Sequence, residues 1–183
     1  TDYNDGFVLP AAIDKAIYIA VGKRADDTIC LSAADLDQSI EASLESLEPS
    51  KLQWPNYLLG IADQLKKNGY RIGGFNAVVA GDVPLGAGLS SSAAVECATI
   101  FALNELFELG ISKLDMVRLA QKAENEFVGL QCGIMDMFAS MFGQQDSVIQ
   151  LDCRSLDYHY MPFHQDGFQI VLLDTCVKHS LAS

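Results

Sequence analysis

The chain has 183 residues, 50% hydrophobic and 20% charged, a content that supports a substantial core and excludes wholesale disorder. Acidic residues number 24 against 12 Lys and Arg, for a formal charge of −12. That balance argues against a nucleic-acid or anionic-membrane surface, and no apolar run approaches the ~20 residues of a membrane helix.

The opening Thr1-Asp2-Tyr3-Asn4-Asp5-Gly6 is too polar to read as a secretory leader, and a start without Met is expected of a piece of a longer chain. Phe7 to Pro10 is a short apolar run. Ala16 to Val21 reads as a strand, and Asp26-Asp27 as a hairpin turn into a second strand, Thr28 to Ser32. Residues 35–50 are acidic and poorly periodic, with room for a strand around Ile40 to Leu44. A helix is predicted from Trp54-Pro55, with Leu58, Leu59, Ala62 and Leu65 on one face and Gly69 as its stop. Phe75 to Ala80 is a strand, followed by a Gly/Ser loop and a helix from about Ser91 to Glu108. Ser112 can cap the next helix, Lys113 to Phe127, with Asp115 three residues on. Ile134 to Phe142 is a shorter helix closed by Gly143. Ser147 to Leu151 and Phe168 to Asp174 are the last strands. Strands and helices mix without regular βαβ alternation, which favours an α+β fold. The five cysteines, Cys30, Cys97, Cys132, Cys153 and Cys176, are odd in number and widely spaced, without a CxxC. They read as scattered thiols in a reducing cytoplasm rather than a disulfide framework or a zinc site.

The stretch Pro84-Leu85-Gly86-Ala87-Gly88-Leu89-Ser90-Ser91-Ser92-Ala93-Ala94 lies between a predicted strand and a predicted helix. Two glycines let a ligand approach the backbone, and three hydroxyls sit where the first helical N–H groups are unpaired. The combination suits a phosphate, and it also suits a Ser-rich helix cap. It is not a Walker A loop, because Ala87 stands where Lys is required. It is not the dinucleotide fingerprint either, because no third glycine follows Gly88.

The same eleven residues resemble the ATP loop of the GHMP small-molecule kinases, and further motifs resemble galactokinases in the right order. These are Thr1 to Pro10, Cys132-Gly133-Ile134-Met135-Asp136, Asp152-Cys153-Arg154-Ser155-Leu156, and Val177 to Ser183. The resemblance implies a GHMP kinase N-terminal lobe, related to a ribosomal-protein domain, over residues 1–165, and the start of a second lobe over 166–183. It implies ATP-dependent phosphorylation of galactose at its anomeric hydroxyl, with Mg²⁺. By resemblance Asp136 is the catalytic carboxylate. Asp2 and Gly133 line the sugar pocket. Gly86, Gly88, Ser90, Ser91 and Ser92 meet the phosphates, Ser92 and Glu124 hold Mg²⁺, and Trp54 lies near the adenine, with Tyr57 a second aromatic. His159, His164 and His179 have no metal-site spacing.

The family's transition-state arginine and a Glu-His pair would precede Thr1, and a later sugar-binding tyrosine would follow Ser183. The chain is therefore expected to be a piece that is inactive by itself and that self-associates through the apolar 168–174 strand. Two related functions stay open: an N-acetylgalactosamine kinase and a galactose-sensing regulator without turnover. Regulators of that kind disrupt the Ser-Ala step, and Ser91-Ser92-Ala93-Ala94 is undisturbed here. An RNA-binding module is disfavoured by the charge.

Overall fold

Helix α1 spans Trp54–Lys67, with Pro55 in its first turn and Lys66 and Lys67 in its last. Gly69, at φ 80°, closes it, and the Tyr70 N–H donates to the Leu65 carbonyl at 3.0 Å. These bounds are those of the predicted helix. The computed structural model describes residues 1–84, 86–163, 167 and 170–173. Helix α2 (Ser91–Phe107) buries Cys97, Ile100 and Leu103, and α3 (Lys113–Lys122) buries Val117 and Ala120. Ser112 caps α3 as predicted: its Oγ accepts from the Asp115 N–H at 3.2 Å and donates to Asp115 Oδ2 at 2.6 Å.

The predicted helix does not continue unbroken to Phe127. Ala123–Val128 is a π-helical turn, closed where the Gly129 N–H donates to the Glu124 carbonyl at 3.0 Å. Such turns widen a helix by one residue and often accompany functional sites. Helix α4 spans Met135–Phe142.

Four strands, β2 (Ile17–Lys23), β3 (Thr28–Ala33), β4 (Gln38–Ser43) and β5 (Phe75–Gly81), form one sheet in the order β2-β5-β3-β4. This corrects the expected hairpin at Asp26-Asp27: β2 and β3 are not neighbours. β5 lies between them, antiparallel to β2 and parallel to β3. The connection is built to receive β5. The Arg24 N–H donates to the Gly74 carbonyl at 2.9 Å, and the Arg24 guanidinium binds Asp26 at 2.7 and 2.8 Å and Asn76 at 3.0 Å. Asp26 thus anchors a crossover instead of a tight turn. One face of this sheet, carrying Ile29, Leu31, Phe75 and Ala77, is buried with the helices.

A second sheet pairs β1 (Phe7–Val8), β6 (Ser147–Asp152) and β7 (Tyr158–Pro162), in the order β1-β6-β7. Strand β7 has no counterpart in the sequence reading. Its Tyr158 and Tyr160 pack with Phe138 and Phe142 of α4, and the Tyr160 hydroxyl donates to the Phe142 carbonyl at 2.7 Å. Of the strand expected over 168–174, residues 170–173 are exposed and belong to no strand. Phe168, Gln169 and Asp174 lie outside the described residues, as do His164 and the 177–183 motif.

Phe138 is fully buried, stacked on Phe142 at 4.4 Å and edge-on to Tyr158 at 5.1 Å. Phe138→Ala should destabilise the fold by about 3–5 kcal/mol, the usual cost of a large core truncation. Urea unfolding measures this, and a loss below about 1 kcal/mol would show that the cluster is not part of the cooperative core. Among the described residues no helix is long and apolar enough to cross a membrane, and Cys30, Cys97, Cys132 and Cys153 are free thiols.

Candidate active site

The Gly/Ser loop leaves β5 and enters α2 through three left-handed residues: Gly86 at φ 70°, Gly88 at φ 74° and Ser90 at φ 56°. Glycine adopts this conformation freely, whereas for Ser90 it costs on the order of 1 kcal/mol. Ser90 is the residue before α2, and no side-chain hydrogen bond caps that helix. The simple cap reading of the serines is therefore not what the geometry gives. The first N–H groups of a 17-residue helix are left to an external acceptor, at the positive end of its dipole. That suits the phosphates of a nucleotide, in a chain whose overall charge would repel them.

Gly88 and Ser90 line a cleft of about 1140 Å³, bounded by the Pro10–Lys15 segment, β2, α2 and α4. Asp136, in the first turn of α4, lines the same cleft. Asp136 is half-buried.

At the start of α4 the chain's first residues fold back. Asp2 begins a 3-10 turn, Asp2–Asn4, and its Oδ2 accepts from the Met135 N–H at 3.4 Å. The same carboxylate lies directly over Gly133, where an added Cβ would overlap it. Residues 131 positions apart in sequence are thus brought into contact, and Gly133 is the residue type that permits it. Tyr3 joins this group. Tyr3 is mostly exposed, and partial desolvation, followed by the charges of Asp2, Cys132 and Asp136, raises its phenol above the ordinary value.

Behind the loop sits a buried polar cluster. Glu124, on the π-helical turn, is 2% exposed. Burial pushes its carboxyl up, while Ser92, Cys132 and Glu96, which face it, pull in the opposite direction. Asp136 is close enough to raise it through charge. Burial also raises the Cys132 thiol, helped by Glu124, so this cysteine stays protonated and unreactive. Tyr57 of α1 faces the cluster too: burial raises its phenol, followed by Glu124 and Glu96.

The donor set fits Mg²⁺. A carboxylate and a hydroxyl are hard oxygen ligands, and Mg²⁺ commonly takes one or two from protein and the rest from phosphate and water. No group of three or more His, Cys, Asp or Glu that could hold a metal occurs among the described residues, which points away from an all-protein cage.

Trp54 stands apart. It is partly buried at the start of α1, and its Nε1 donates to Gln38 Oε1 of β4 at 2.8 Å. It is not among the residues lining the cleft shared by Ser90 and Asp136. The sequence reading missed Tyr3, Cys132 and Glu96. Glu96 had a visible signal, as a carboxylate within the apolar run Ala93 to Leu103.

Residues 56–144 match the N-terminal domain model of the GHMP kinases, and residues 1–23 match the galactokinase galactose-binding signature. Residues 56–144 thus carry a GHMP kinase N-terminal domain. Over its whole length it is 43% identical to a galactokinase of Thermosipho africanus and 44% identical to one of Thermococcus kodakarensis. It spans 51% of the length of each. The crystal structure of Lactococcus lactis galactokinase complexed with galactose superposes with a TM-score of 0.85 at 37% identity, over 90% of this chain and 44% of that one. A mevalonate kinase matches at a TM-score of 0.72 and 20% identity, a likeness of fold alone. The α+β architecture is thus that of a GHMP kinase N-terminal domain, and the two matched segments hold the loop, Glu124, Asp136 and Asp2.

Proposed function

We propose that this chain supplies the nucleotide-binding part, and some of the sugar-binding part, of an enzyme that phosphorylates galactose at its anomeric hydroxyl with Mg-ATP. The observation that carries this reading is the sharing of one cleft by the Gly88–Ser90 turn and Asp136, with Asp2 held at the start of the same helix α4. Residues 1–165 are read as the ATP-binding lobe, and the second lobe expected from residue 166 falls mostly outside the described residues. The free thiols fit a reducing cytoplasm. The partners are galactose and ATP, without nucleic acid or membrane.

Phosphoryl transfer asks the protein mainly for positioning and charge neutralisation. The N–H groups at the start of α2, with Ser90 and Ser91, hold the phosphates. Gly86 and Gly88 keep side chains out of their way. Ser92 and Glu124 would hold Mg²⁺, which when bound neutralises charge on the transferring phosphates. Asp2 accepts from sugar hydroxyls through the carboxylate oxygen that Met135 leaves free, beside the Gly133 backbone. Asp136 accepts the proton of the anomeric hydroxyl, or stabilises its developing charge, as that oxygen bonds to the γ-phosphorus and ADP leaves. The family resemblance alone puts Trp54 near the adenine, outside the cleft that Ser90 and Asp136 share.

Ser92→Ala in the full-length enzyme tests the metal assignment. The Mg²⁺ concentration for half-maximal rate should rise by about 10- to 100-fold, the scale seen when a metal site loses a supporting group. Galactose binding by calorimetry should be unchanged. An unaltered Mg²⁺ dependence would remove Ser92 from the site.

A further inference from the structure

The segment that leads into α4 is held by side chains rather than by a backbone ladder. The Gly129 and Leu130 N–H groups both donate to the Glu124 carbonyl, but residues 131–133 make no backbone-to-backbone hydrogen bond among the described residues. Both polar groups of the Cys132 backbone go instead to amide side chains. Its N–H donates to Asn125 Oδ1 at 2.9 Å, and its carbonyl accepts from Gln121 Nε2 at 3.2 Å. Gln121 lies on α3, and Asn125 lies on the π-helical turn that follows it. The backbone partners settle which atom of each amide is used. An N–H requires the oxygen of Asn125, and a carbonyl requires the nitrogen of Gln121.

The chain on the far side of this clamp is the sugar side of the proposed site. Gly133, the next residue, is buried against the Asp2 carboxylate. The Met135 N–H donates to Asp2 Oδ2, and Asp136 follows in the first turn of α4. A shift of the Cys132 backbone is therefore passed directly to Gly133 and, within one helical turn, to Asp136. Gln121 and Asn125 themselves do not line the cleft that Ser90 and Asp136 share. Partly buried backbone groups need hydrogen-bond partners, so the two amides also keep this stretch from seeking others.

We propose that Gln121 and Asn125 are positioning residues for sugar recognition: their amides grip the two ends of the Cys132 backbone and so set Gly133 and the start of α4 against Asp2. The inference rests on the reading of Asp2, Gly133 and Asp136 as the groups that meet galactose. It makes an asymmetric prediction. Replacing Asn125 by Asp keeps the acceptor oxygen that the Cys132 N–H needs. Replacing Gln121 by Glu has the same size and adds the same charge, but it removes the donor and sets a carboxylate against the Cys132 carbonyl.

The test measures galactose binding by calorimetry without nucleotide, on the full-length enzyme and its N125D, N125L, Q121E and Q121M variants. N125D should bind within about 3-fold of wild type, whereas Q121E and N125L should bind about 10- to 100-fold more weakly, up to the cost of displacing a site by an ångström. The Michaelis constant for ATP should hold, because the loop before α2 is untouched. Hydrogen exchange in the peptide 129–135 should quicken in Q121E and N125L and stay slow in N125D. A merely structural role predicts lower melting temperatures with unchanged galactose affinity in the folded protein. A response to added charge alone predicts equal losses in N125D and Q121E. Q121M takes the place of Q121E or N125L if either is not recovered folded. The proposal is overturned if the variants that lose a bond bind galactose as wild type does, or if N125D is as weak as Q121E. If the wild-type enzyme itself binds no galactose, the functional reading fails, and this inference with it. If wild type binds galactose and Q121E and N125L match it, only the positioning role fails.

Discussion

Asp136→Asn, in the full-length enzyme, should lower kcat by about 10²–10⁴-fold, the range for losing a positioned general base. The Michaelis constant for ATP should change little, because the proposed phosphate contacts lie at the start of α2 and Asp136 lies on α4. The substitution is isosteric and the site is half-buried, so the melting temperature should hold within a few degrees. The pattern matters more than the size. An interaction made only in the transition state lowers kcat and kcat/KM together. Steady-state kinetics with galactose and ATP varied separately would show it. Wild-type turnover by the Asn variant would remove Asp136 from the chemistry and leave it as a helix-start carboxylate. A raised ATP Michaelis constant with unchanged kcat would place it against the nucleotide instead.

The helices were legible because their signals are local. Pro55, the Leu58/Leu59/Ala62/Leu65 face and Gly69 mark α1, and Ser112 with Asp115 marks the start of α3. Strand pairing was less legible, because alternation says which residues face the core and not which strand lies alongside. Asp26-Asp27 carries turn chemistry in a hairpin and in a crossover alike, and only the bonds from Arg24 to Gly74 and Asn76 decide between them. Strand β7 was hidden by its composition. Tyr158-His159-Tyr160-Met161-Pro162 mixes aromatic and polar residues and ends in a residue that strands avoid, and its pairing with β6 is tertiary. The site divides in the same way. The Gly/Ser loop is contiguous and could be read as a phosphate cradle from its residues alone. Asp2 beside Gly133, and Ser92 facing Glu124, are contacts across the fold; a resemblance can suggest them, but no local pattern can. The π-helical turn at Ala123–Val128 has no sequence signature, although it carries Glu124.

Gly133→Ala should cut kcat/KM for galactose by about 100-fold, the cost of misplacing a site by an ångström or so. The new methyl would overlap the Asp2 carboxylate, and its neighbourhood offers no slack: Gly133 is buried and the Asp2 Cβ lies 2.9 Å from the methyl position. Asp2 must therefore move, and two things move with it. The proposed sugar contact is displaced. The bond from the Met135 N–H to Asp2 Oδ2 is lost, which loosens the start of α4 and hence Asp136, one residue on. Loss of a helix-start acceptor is worth about 1 kcal/mol, so the melting temperature should fall as well. The Michaelis constant for ATP should hold, because the loop before α2 is not touched. Coupling separates this account from a general packing defect. In an Asp2→Gly background the obstructing side chain is gone, so Gly133→Ala should add little further loss; contacting residues are the ones whose effects do not add. Kinetics on the two single variants and the double variant complete the cycle. Additive losses would mean that Gly133 acts through something other than Asp2. A Gly133→Ala enzyme with wild-type galactose kinetics would show that the close approach of these two residues has no part in sugar recognition.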